Sequence, residues 1–138
     1  MLNIIRKISV ITFVILIVGC SSAASQKQKY LEMVAKNRAS LLASELPLES
    51  GPLSIMRANS KGNIIEIMMV YNDDAKGAKP TATLLSQSLN TYCNNKDTKA
   101  NLDLGIHYRI KIRNSRGQLM ADELVTPQKC QSQKNNMQ

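Results

Sequence analysis

The chain has no tryptophan, a single phenylalanine, a single histidine and three cysteines. Each scarcity excludes something. A zinc site is built from three or four His, Cys or carboxylate ligands, so the lone His107 with so few thiols makes one improbable. Aromatic residues are 4% of the chain and are not interleaved with the basic ones, so the pattern of a base-stacking nucleic-acid surface is missing. There is no Gly-rich phosphate loop, no Gly-x-Ser-x-Gly elbow and no His-Glu-x-x-His. Asp73-Asp74 has no third carboxylate beside it and reads as a solvated loop tip rather than a calcium site. Asp122 and Glu123 are neighbours in a strand pattern, so they point to opposite faces and do not pair as acid and base. His107 falls on the polar face of a strand pattern and reads as an exposed histidine rather than a catalytic base. Nothing argues for an enzyme, a metal or a cofactor, and there is no internal repeat.

What is present begins at the N-terminus. Arg6-Lys7 form a short basic head, Ile8 to Val18 is almost wholly apolar, and Gly19-Cys20-Ser21 follow. Head, run and small residue at the cut make a secretory signal peptide. The run is too short for a comfortable membrane span, which needs about 20 apolar residues. Ile17-Val18-Gly19-Cys20 resembles the bacterial lipobox. That resemblance implies cleavage before Cys20 and acylation of both its thiol and the new N-terminus. Residues 1–19 are then a lipoprotein signal peptide, and Cys20 carries a covalent lipid. At about 0.8 kcal/mol per buried methylene, three acyl chains hold far more tightly than one. Ser21 stands where, in bacteria that sort by this residue, an Asp would retain a lipoprotein at the inner membrane. The expected address is therefore the periplasmic face of the outer membrane, reached through the lipoprotein sorting machinery.

Without its leader the chain keeps 119 residues (138 less 19), one domain with one modest core. The formal charge of +8 falls to +6 with the loss of Arg6 and Lys7. The remaining basic residues are scattered and read as a solvated surface. Anionic headgroups or an acidic partner are the functional alternatives. Cys93 and Cys130 are left as an even pair in an oxidising compartment. A disulfide is the natural reading, with two free thiols or a metal site as alternatives. It would close a loop of 37 residues (130 less 93), worth on the order of 3–4 kcal/mol.

Residues 20–27 are small and polar and read as a lipidated tether. Residues 28 to about 45 predict a helix with Leu31, Val34, Ala35, Leu41 and Leu42 near one face, stopped at Leu46-Pro47. Leu53 to Ala58 reads as a short strand, and the Gly62 region as a hairpin turn. Ile64 to Tyr71 is apolar on both faces apart from Glu66, which predicts a central strand covered on both sides. Pro80 opens a second helix, capped by Thr81 or Thr83, with Leu84, Leu85, Ser88, Leu89 and Tyr92 in a stripe beside Cys93. Asn94 to Lys99 reads as a polar break. Residues 106–113 alternate without exception: Ile106, Tyr108, Ile110 and Ile112 on one face, His107, Arg109, Lys111 and Arg113 on the other. Gln118 to Val125 returns as a hairpin partner, Pro127 ends it, and residues 131–138 read as a flexible tail. The expected fold is α+β: a mainly antiparallel sheet of four to five strands flanked by helices, with one intradomain disulfide.

The order of lipobox, helix, Leu46-Pro47, Ser50-Gly51, apolar strand, helix ending in Cys93, Gly105-Ile106-x-Tyr108-x-Ile110-x-Ile112 and closing Cys130 resembles the AspS-type (YghG-like) pilotins of type II secretion systems. The resemblance implies a pilotin domain over residues 28–130. It implies an outer-membrane lipoprotein that binds the C-terminal segment of a secretin and promotes its targeting and assembly there. The candidate binding surface combines a second face of the apolar strand (Ile64, Glu66, Met68, Val70) with His107, Arg109 and Lys111. The opposite assignment, with Ile65, Ile67, Met69 and Tyr71 on that second face, is equally open, as is coverage of the face by the domain itself. The competing reading is a periplasmic lipoprotein that inhibits or senses an envelope enzyme.

Overall fold

The computed structural model describes residues 19–135. Of the signal peptide read over residues 1–19, all but Gly19 lies outside them, as do residues 136–138 and the Cys20 side chain. The elements are helix α1 (Gly19–Ser44), strands β1 (Leu48–Ser50), β2 (Leu53–Lys61) and β3 (Ile64–Tyr71), and helices α2 (Thr81–Asn94) and α3 (Lys96–Leu104). Strands β4 (His107–Asn114) and β5 (Leu119–Val125) and helix α4 (Pro127–Asn135) complete the chain.

The first unit ends at Tyr30. Its residues 20–27, read as a tether, are helical, because α1 begins at Gly19 rather than near residue 28. From Leu31 onward the chain is one folded unit. There α1 buries Leu31, Ala35 and Ala39, one residue per turn at i, i+4 and i+8. Leu41, expected on that face, is 65% exposed.

The five strands lie in the order β1-β2-β3-β4-β5. Three pairings are antiparallel; β3 and β4 at the centre run parallel. A parallel pair needs a crossover, and α2 and α3 supply it. Gly62 (φ 58°) turns the β2–β3 hairpin where a side chain would be strained. The core is one cluster. Ile65, Ile67, Met69 and Tyr71 of β3 join Tyr108, Ile110 and Ile112 of β4 and Val125 of β5, under Leu84, Leu89 and Cys93 of α2.

Four expectations need correction. The break at 94–99 is the start of α3: the Asn95 side chain accepts a hydrogen bond from the Thr98 N–H at 2.9 Å, and Gly105 (φ 101°) closes the helix in the left-handed conformation. Neither Thr81 nor Thr83 caps α2; its N-cap residue is Pro80, and no side chain caps it. Residues 131–135 continue α4 rather than fraying. The β3 strand is central but not covered on both sides, since Ile64, Glu66, Met68 and Val70 stay half-exposed. The helices pack on the other face, and on this one only neighbouring strand side chains offer shelter.

The disulfide joins Cys93 to Cys130 with Cα atoms 5.3 Å apart. It fastens α4 to α2, and Lys129 of α4 reaches Glu123 of β5 at 2.9 Å.

Candidate functional site: an open sheet face and an apolar groove

The parallel register of β3 and β4 decides which residues share the outer face. Ile64 stands beside His107, Glu66 beside Arg109, Met68 beside Lys111 and Val70 beside Arg113. The seven sequence-predicted surface residues are thus brought together. Their charges are largely answered from within. Glu66 Oε1 lies 3.3 Å from Lys111 Nζ and 3.9 Å from Arg109, and Arg109 also grips Asp122 through two bonds of 2.7 and 2.8 Å. The bidentate bond to Asp122 raises Arg109 and holds the Asp122 carboxyl below its usual range. The face carries an ion-paired strip across its middle, with half-exposed Ile64, Met68 and Val70 on either side.

His107 departs from its expected exposure. It is half-buried, and its Nδ1 is buried with no hydrogen-bond partner among the described residues. It opens β4 with its N–H donated to the Asn63 carbonyl at 3.0 Å, and Ile64 stands beside it in register.

On the helical face the structure has a groove of about 510 Å³ between α2 and the β1–β3 end of the sheet. α2 packs towards β5, α3 and α4, and the groove opens along its other flank. Leu53 and Ile55 of β2 and Met69 and Tyr71 of β3 form its floor. Leu84, Gln87, Ser88, Thr91 and Tyr92 form the wall, a stripe at helical spacing along α2. The Tyr71 hydroxyl accepts from the Lys79 N–H and donates to the Lys79 carbonyl at 3.0 Å, fixing the loop that ends at the groove mouth. Tyr92 packs against Tyr108 with ring centroids 5.6 Å apart. Burial, reinforced by Tyr108, pushes its phenol well above the usual range, so it stays neutral.

Sequence reasoning missed this groove. The strand from Leu53 to Ala58 was legible, but how far α2 reaches across the sheet is a tertiary fact. Among the described residues no helix is long and apolar enough to cross a membrane.

Comparisons with known proteins agree with this architecture. Residues 27–130 match the model of the type II secretion system pilotin S protein family. The chain is similar to the solved type II secretion pilotin AspS of Vibrio cholerae at 58% identity and TM-score 0.74, covering 78% of this chain and 99% of that one. It is also similar to the pilotin EpsS of Vibrio vulnificus at 55% identity and TM-score 0.73, covering 77% and 96%. A Pseudomonas aeruginosa structure at 14% identity and TM-score 0.64, covering 75% and 96%, shares the fold alone. A search of curated proteins finds no match. Pilotins are non-enzymatic accessory proteins of secretion. With the family's model spanning the whole sheet, the crossover helices and both disulfide cysteines, the chain belongs to the type II secretion system pilotin S protein family.

Proposed function

We propose that this chain is a lipid-anchored pilotin on the periplasmic face of the outer membrane. It binds the C-terminal segment of a type II secretion secretin and promotes the secretin's targeting to that membrane and its assembly there. The observation that carries the reading is the family match over residues 27–130, directly behind a lipobox cysteine. Cys20 supplies the lipid and entry into lipoprotein sorting. The folded unit supplies the binding surface.

The groove suits the apolar stripe of an amphipathic segment that orders on binding. It is concave, with an apolar floor of Leu53, Ile55 and Met69 and a polar stripe of Gln87, Ser88 and Thr91 on its wall. The outer face, with Ile64, Glu66, Met68, Val70, His107, Arg109 and Lys111, is the second candidate, favoured by its half-exposed apolar residues. With its charges paired internally, it offers a peptide less to gain.

The test is capture of detergent-extracted secretin, and separately of its C-terminal peptide, by the chain from Ser21 onward. Capture of both is expected, and it disappears when the secretin lacks the segment. Ile55→Asp in the groove should abolish binding and Met68→Asp on the outer face should spare it; the reverse result moves the site to the outer face. No capture by a folded, disulfide-bonded domain would refute the reading and bring forward an inhibitor or sensor of an envelope enzyme.

A further inference from the structure

Building on the pilotin reading, we infer that Lys79 is a specificity-determining residue of the groove: it takes a carboxylate on the polar flank of the bound segment. The groove-lining residues are apolar or neutral except this one. Tyr92 of the wall is kept neutral by burial.

The lysine's cation is unanswered. Arg109, Lys111, Arg116 and Lys129 each hold a carboxylate. Among the described residues Lys79 has none within ion-pair distance, and its Nζ makes one long contact of 3.4 Å with the amide oxygen of Gln87. Yet its backbone is fixed on both sides. The N–H and the carbonyl are held by the Tyr71 hydroxyl, and Pro80 follows at the start of α2. A charged side chain thus stands on a set backbone at the mouth of an apolar trough, with the Gln87 amide beside it as a second polar contact.

An amphipathic segment lying apolar side down turns its polar flank towards this rim. A carboxylate there completes the pair with Lys79; a lysine or arginine there is repelled. Selection therefore works by exclusion as well as attraction. The rim is open to solvent, so the pair is screened by salt and its effect is moderate.

The experiment measures the affinity of the chain from Ser21 onward, which contains the unit shared with the solved relatives, for a synthetic peptide of the secretin C-terminal segment. A second peptide has every Asp and Glu replaced by its amide and an amidated terminus. Proteins are wild type, Lys79→Gln, Lys79→Glu and Ile55→Asp, each at low and high salt. Lys79 is exposed, so both of its variants should melt like wild type. Lys79→Gln should weaken the native peptide by roughly two- to fivefold, and Lys79→Glu by more. Both should lose salt dependence of the attractive kind. The amide peptide should not distinguish wild type from Lys79→Gln. If both lysine variants bind the native peptide as wild type does while Ile55→Asp does not bind, the lysine's role is overturned and the groove stands. If Ile55→Asp also binds normally, the groove reading falls and the lysine's role with it.

Discussion

Ile67 and Met68 are adjacent in β3 and live in different solvents. Ile67 is 0% exposed, under the helices and against Ile110 of β4. Met68 is half-exposed on the other face, between Arg57 of β2 and Lys111 of β4. The backbone alternation is the same on both sides; only the covering differs. Along β4 the sequence itself differs between the faces, isoleucine inside and basic residues outside. Along β3 it does not, since both faces are apolar. An apolar residue in a strand therefore shows that burial is tolerated, not that it occurs. The polar residues of the strand paired beside it tell which face is open.

The contrast is sharpest under the same substitution. Ile67→Asp places a carboxylate where no partner and no water reach it, and the transfer penalty for an unpaired charge exceeds the whole stability of an ordinary small domain. The expected result is no cooperative unfolding transition by circular dichroism; a folded domain with a normal melting curve would show that the inner face is wetter than described. The next largest effect also belongs to the helical face. Cys93→Ser combined with Cys130→Ser frees α4 from α2 and should cost on the order of 3–4 kcal/mol in urea denaturation. A loss under 1 kcal/mol would mean that Lys129–Glu123 and packing hold α4 unaided.

The same two faces explain what could be read from the chain alone. The alternation of Ile106 to Arg113 fixes which residues share a face, so β4 was legible; its parallel pairing with β3 was not, because alternation does not name the neighbouring strand. The pairing of Cys93 with Cys130 followed from compartment and parity. Helices α3 and α4 were not legible because they lack an apolar stripe. α3 buries Leu102 with the polar Thr98 and Asn101, and α4 buries no residue at all. Caps, the disulfide and packing hold them instead. One signal for α3 was available: Asn95 three residues before Thr98 and a Gly at 105, a start and a stop. Period-two reasoning left both faces of β3 open, and it is the parallel register with β4 that sets Ile64, Glu66 and Met68 beside His107, Arg109 and Lys111. The groove was invisible because it is a gap between elements, lined by residues of β2, β3 and α2 that lie far apart in the sequence.

A smaller effect probes the ion-paired strip. Asp122 is held ionised chiefly by its hydrogen bond from Arg109. Its folded pKa is depressed, so its contribution is present above the unfolded value near 3.8 and is lost as pH falls through the lower folded value. Asp122→Asn should therefore be less stable than wild type at neutral pH, and the two should converge in strong acid. Exposure keeps the difference small and salt-sensitive. Parallel curves across that range would show that the pair contributes no proton linkage.

Met68→Asp is the smallest effect and the most direct measure of how open the outer face is. The new carboxylate would stand in register between Arg57 and Lys111, two cations that flank this position on neighbouring strands. Opposite charges across a sheet each add roughly 0.2–1 kcal/mol, and the lost methionine surface was only half-sheltered. Attraction and lost burial should nearly cancel, leaving stability within about 0.5–1 kcal/mol of wild type by urea titration. A loss as large as a core truncation, about 2–5 kcal/mol, would mean that Met68 is sheltered as Ile67 is, and that the two faces of β3 differ less than their exposures indicate.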